Sequence, residues 1–98
     1  MTKFGELIDE QNPILLSFFA DWSEDCKNIH DQLKDVSAAV GDKAKLIKID
    51  AEKNEELLEA LKVKKLPTYI LYKSDEMVWR QSGKMEANDL IILIDDIS

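Results

Sequence analysis

Ile14-Leu15-Leu16-Ser17-Phe18-Phe19-Ala20-Asp21-Trp22-Ser23-Glu24-Asp25-Cys26 carries the chain from a nearly all-apolar run, through a polar turn, to a single thiol. Residues 14–20 are rich in strand formers and too few for an ordinary helix. They predict a strand apolar on both faces, as a buried central strand requires. Ser23 suits the position before a helix, because its hydroxyl can accept from a free N–H of the first turn. Cys26, Ile29, Leu33, Val36 and Val40 then recur at spacings of three and four. That spacing predicts one helix of about five turns with a single buried stripe, stopped by Gly41.

On the N-terminal side, Phe4, Leu7 and Ile8 predict a short amphipathic helix over 4–10, ended at Asn12-Pro13 because proline disfavours helix in the residue before it. On the C-terminal side a second strand is expected over 46–49. Asn54 should cap a helix whose Leu57, Leu58 and Leu61 face inward. Residues 63–67 read as a turn into a third strand over 68–72. Lys73-Ser74-Asp75-Glu76 then makes a polar hairpin turn into a fourth strand over 77–81, which Gly83 breaks. Leu90, Ile91, Leu93, Ile94 and Ile97 mark a closing helix over 87–97. A strand, helix, strand beginning calls for a right-handed crossover and a parallel pair, and the hairpin adds an antiparallel edge. The class is therefore α/β, with helices covering both faces of the sheet.

The 98 residues hold 20 acidic and 13 basic side chains, a formal net charge of −7. At this length one domain over 1–98 is expected. With 45% hydrophobic residues the chain is too apolar for disorder, and it has no apolar run near the ~18–20 residues of a membrane span. The acidic balance, with Arg80 the single arginine, argues against a phosphate-tracking nucleic-acid binder. One cysteine, Cys26, closes no intramolecular disulfide and makes no Cys-cluster zinc site. Met1-Thr2-Lys3-Phe4-Gly5-Glu6 lacks the basic-then-apolar pattern of an export signal, so a reducing, cytoplasmic setting is expected. His30, four residues after Cys26, supplies only a second ligand, so no metal site is expected.

Phe18-Phe19-Ala20-Asp21-Trp22 running into Ser23-Glu24-Asp25-Cys26-Lys27 resembles the thioredoxin family. So does Val63-Lys64-Lys65-Leu66-Pro67-Thr68, and so does the placing of Gly83 after the last strand. The likeness covers essentially the whole chain from Phe4 onward. It implies the thioredoxin fold, a four-stranded mixed sheet in the order 2-1-3-4 flanked by helices. It also implies a cis peptide before Pro67 that leaves the backbone groups of Leu66 open to an extended peptide. In the family the tryptophan is followed by Cys-Gly-Pro-Cys, whose first sulfur attacks a substrate disulfide and whose second resolves the mixed disulfide. Here Ser23 stands at the attacking position and only Cys26 remains. Glu24 and Asp25 replace Gly-Pro and oppose negative charge on a neighbouring sulfur. Ser17 stands at the family's buried aspartate, and Leu46 at the lysine that pairs with it.

The resemblance therefore implies a thioredoxin-like protein with a degenerate site and little or no disulfide reductase activity. Its partner would be a protein or an extended peptide, bound through Trp22, Ser23, Glu24, Asp25, Leu66 and Pro67. Lys64, Lys65, Ser82 and Lys84 make the docking face charged rather than apolar. The alternative is a monothiol thiol-disulfide oxidoreductase in cell redox homeostasis, with Cys26 as nucleophile and an external thiol such as glutathione resolving the adduct. The two part on whether Cys26 is exposed or is a small core residue. Trp79, on the edge strand, is either an exposed anchor or lies across the sheet. No nucleic-acid or membrane partner is expected, and the oligomeric state is left open.

Overall fold

The computed structural model describes residues 12–74 and 76–97; the helix expected over 4–10 lies outside them. Every residue of β1 (Ile14–Phe19) is buried. The strand pairs on both sides, parallel with β2 (Lys45–Asp50) and antiparallel with β3 (Thr68–Lys73). β3 pairs antiparallel with β4 (Glu76–Ser82), which completes the order β2-β1-β3-β4. Apolar runs thus occupy the two central strands and polar ones the edges, because only a central strand meets apolar partners on both faces.

Alternation along β1 divides the core. Leu15 and Phe19 face one side, where they join Leu71 and the buried stripe Ile29, Leu33, Val36 and Val40 of α1 (Ile29–Val40). Leu90 and Ile94 of α3 (Ala87–Ile97) complete that cluster. Ile14, Leu16 and Phe18 face the other side with Ile49, Val63, Ile70 and Tyr72, covered by Leu57, Leu58 and Leu61 around α2 (Glu55–Ala60). At about 1.5–3 kcal/mol for each large apolar side chain removed from water, these two layers hold the sheet between its helices. No helix among the described residues is long and apolar enough to cross a membrane.

The single helix expected to start after Ser23 is instead broken. Glu24–Cys26 forms a 3-10 turn, and α1 begins only at Ile29. The N–H groups of Cys26 and Lys27 donate three residues back, to Ser23 and Glu24, at 3.1 and 3.2 Å. Asn28, at φ −106° and ψ 14°, then leaves the helical region. Asp and Asn compete locally for backbone groups, so an Asp25…Asn28 segment favours a tight turn over a regular first turn. Ser23 is extended, but its hydroxyl makes no capping bond. Asn54 likewise makes no capping bond to α2; its amide donates to the carbonyl of Asp50 at 2.9 Å.

The hairpin strands run slightly further than the apolar residues suggest, into Lys73 on one side and from Glu76 to Ser82 on the other. A bulge interrupts them, since Leu71 pairs with Trp79 and Tyr72 with Met77, leaving Val78 unmatched. Trp79 is consequently half-buried against the α1/α3 cluster and is no exposed anchor, while Met77 and Val78 are each 45% exposed. The extra residue turns the ring back onto the sheet and twists the open edge.

Candidate functional site

Two segments that meet the same core build the site. The first is the turn after β1. The Ser23 N–H closes onto the Ala20 carbonyl at 3.1 Å, and the 3-10 turn follows. This leaves Trp22 70% exposed and Glu24 and Asp25 at the surface, with Ser23 half-buried. Cys26 is directed inward. It is 4% exposed and belongs to the cluster of Phe19, Ile29, Leu33 and Tyr69. The one sulfur able to take part in exchange is therefore a core side chain.

The second segment, residues 63–67, joins α2 to β3. Its Leu66-Pro67 peptide is cis. The Thr68 hydroxyl donates to the Lys65 carbonyl and lies 3.0 Å from the Ser82 hydroxyl, while Gly83 N–H donates to the Pro67 carbonyl at 2.8 Å. Gly83 adopts φ 101°, a backbone open to glycine and rarely to other residues. Leu66 packs its half-buried side chain on both clusters. Neither its N–H nor its carbonyl is hydrogen-bonded to another described residue. Pro67 is buried, and Lys64, Lys65, Ser82 and Lys84 are exposed. Leu66 and Cys26 thus share a cluster, with Trp22 outside it on the surface.

A family model described as Thioredoxin matches residues 1–96. The chain belongs to the thioredoxin family. It is 34% identical over 91 residues to Thioredoxin Y, chloroplastic, of Oryza sativa subsp. japonica, an alignment covering 92% of this chain and 54% of that protein. It is 38% identical over 81 residues to Thioredoxin 2 of Plasmodium falciparum, covering 83% of this chain and 52% of that one. The chain thus spans about half the length of these two curated relatives. With Thioredoxin-1 of Drosophila yakuba the identity is 33% over 88 residues, 88% of this chain and 82% of the relative. Among solved structures, thioredoxin from Trypanosoma brucei brucei superposes with a TM-score of 0.88 at 26% identity, covering 99% of this chain and 84% of that chain.

In this thioredoxin-family chain, neither Ser17 nor Leu46 carries a charge into the core. Ser17 is fully buried, and its hydroxyl has no hydrogen-bond partner among the described residues. Leu46 packs on the α1/α3 cluster. His30 is exposed and lies edge-on to Phe19, ring centroids 4.9 Å apart, with its Nδ1 3.2 Å from Lys48 Nζ. Its nearest polar partner is therefore an amine and not Cys26.

A second polar feature joins residues far apart in the chain. A cleft of about 640 Å³ opens between the 3-10 turn, the start of α1 and residues 84–87. At its base the buried Tyr69 hydroxyl donates to Gln32 Oε1 at 2.7 Å, and Gln32 Nε2 donates to the Met85 carbonyl. Burial first, and then electrostatic interaction with Cys26, push the Tyr69 phenol up from 10.0 to about 12, against the opposing effect of its bond to Gln32. Two signals pointed there: a tyrosine within a buried strand needs a partner for its hydroxyl, and Gln32 follows Ile29 by three residues, beside the apolar stripe. The contact of Arg80 is likewise not given by spacing in the sequence. It reaches across to the end of α2, as described below.

Proposed function

We propose that this thioredoxin-family chain binds an extended protein or peptide segment beside Leu66-Pro67 and has little or no disulfide reductase activity of its own. The observation that carries the reading is the 4% exposure of Cys26, the only thiol of the chain. Reduction of a disulfide by a dithiol needs one thiolate to attack and a second to resolve. Ser23 supplies neither, because a hydroxyl forms no disulfide. A monothiol cycle with glutathione needs the remaining sulfur at the surface, and burial in the α1/α3 cluster weighs against it.

Peptide capture needs no sulfur. Leu66 offers a donor and an acceptor with no partner among the described residues, the pair that an added strand uses. Trp22 adds a broad exposed ring nearby in sequence to the 3-10 turn, and the surface residues Glu24, Asp25, Lys64 and Lys65 favour a segment bearing complementary charge.

Two measurements test this. In a disulfide-reduction assay with dithiothreitol as electron source, the chain is expected to add nothing to the background rate, and measurable turnover overturns the reading. A cysteine-free random decapeptide library should yield ligands whose binding is lost in Leu66→Pro, which removes the N–H, and weakened in Trp22→Ala. A library from which no member binds also overturns it. The triple change Ser23→Cys, Glu24→Gly and Asp25→Pro adds a second sulfur beside Cys26 and should raise reductase turnover above that of the unmodified chain.

A further inference from the structure

α2 ends in a way that calls for outside support. The N–H of Lys62 donates to the Glu59 carbonyl at 3.1 Å, and that of Val63 donates back to Leu58 at 2.8 Å. This pair of bonds, with Leu58 and Val63 meeting in the α2-facing core, is the arrangement by which a helix closes through a left-handed residue. The left-handed residue is Lys62, at φ 57°, where glycine is the usual occupant. The closure leaves the carbonyls of Leu61 and Lys62 pointing out of the helix. Arg80, on β4, takes both: its two terminal guanidinium nitrogens donate to Leu61 at 2.5 Å and to Lys62 at 2.7 Å.

We propose that Arg80 is a positioning residue for residues 62–67, and, resting on the reading above, for peptide binding at Leu66. A guanidinium presents donors in a fixed planar fork, so it can hold two successive carbonyls in one geometry; a lysine ammonium is a single point on a flexible stem. Arg80 ties the left-handed turn to the sheet at the start of the segment. The contacts of Thr68, Ser82 and Gly83 tie it at the far end. Leu66 lies between these two anchors, so the direction of its N–H and carbonyl, unpaired among the described residues, follows from both.

The test compares the wild type, Arg80→Lys, and Arg80→Lys combined with Lys62→Gly. Backbone amide exchange is followed at Lys62 and Val63 and, as a reference, in β1 and β3. Affinity is measured by calorimetry for the tightest wild-type ligand from the cysteine-free decapeptide library. In Arg80→Lys the amides of Lys62 and Val63 should exchange about tenfold faster with the β1 and β3 amides unchanged, and the decapeptide should bind about tenfold more weakly. Lys62→Gly should restore both, because glycine holds the left-handed turn unaided. Acceleration of all amides together marks a general stability effect and overturns the proposal. So do unchanged exchange at Lys62 and Val63, failure of glycine to restore it, or binding that stays at wild-type strength while exchange quickens. If no library member binds the wild type, the reading of peptide capture falls, and the exchange measurements alone decide whether Arg80 fixes the segment.

Discussion

The hydroxyl of Ser17 is buried in the middle of β1 without a hydrogen-bond partner among the described residues. An unsatisfied buried hydroxyl costs about 1–3 kcal/mol, whereas a methyl in its place has nothing to satisfy. Ser17→Ala is therefore expected to raise stability in urea by about 1 kcal/mol, and a loss instead would reveal a partner for the hydroxyl. Tyr69 makes a different prediction, in pH. Its phenol is held up at about 12 against an unperturbed 10.0, so between these values the folded chain keeps a proton that the unfolded chain has released. The folded state then binds more protons, and stability must fall as pH rises. The contribution is whole below pH 10 and is lost toward pH 12. Allowing for solvent screening at the cleft, wild type should lose about 1–2 kcal/mol more than Tyr69→Phe over that interval, measured as the difference between their urea curves. An identical loss in both would show that the phenol is not responsible.

Among the elements, α1 illustrates how an apolar stripe and a helix boundary obey different rules. Ile29, Leu33, Val36 and Val40 are buried as their spacing predicts, because one helical face must meet the sheet. Leu33→Ala should accordingly cost about 2–5 kcal/mol, and Lys34→Ala, on the exposed side of the same turn, no more than about 0.5 kcal/mol, both read from urea unfolding. Cys26 fits the same periodic stripe and is also buried, yet it lies on a 3-10 turn. Burial follows the direction of a side chain, whereas the type of turn follows from which carbonyl each N–H finds. Neither expected capping bond forms: the Cys26 N–H goes to the Ser23 backbone carbonyl rather than to its hydroxyl, and the Asn54 amide donates to the Asp50 carbonyl while its oxygen takes no first-turn N–H. The bulge at Val78 could not be read from alternation either. It is defined by the register of β4 against β3, and it decides that Trp79 turns inward.

Across the whole molecule, the reactivity of the thiol depends on opening of the α1/α3 layer. Cys26 is covered by helix and sheet together. Alkylation by iodoacetamide should thus be at least about tenfold slower than for an unfolded-state thiol, and should accelerate as urea populates open forms. A rate equal to the unfolded control in native buffer contradicts the burial and favours the monothiol alternative. The two tryptophans offer an independent reading of the same packing. With Trp22 70% exposed and Trp79 half-buried, Trp22→Phe should remove most of the acrylamide-quenchable fluorescence.

The order of strands and helices, the parallel start, the two-sided burial of β1 and the presence of one cysteine are all legible in local sequence. Each depends on residue type and spacing alone, and backbone hydrogen bonding offers few ways to satisfy such a pattern. The disposition of the polar groups was settled otherwise. Tyr69 is 37 residues from Gln32, and Arg80 is 19 and 18 residues from the two carbonyls it holds. A hydrogen bond is short and directional, so which distant partners meet depends on a register and a crossing of elements that exist only once the sheet and its helices have packed.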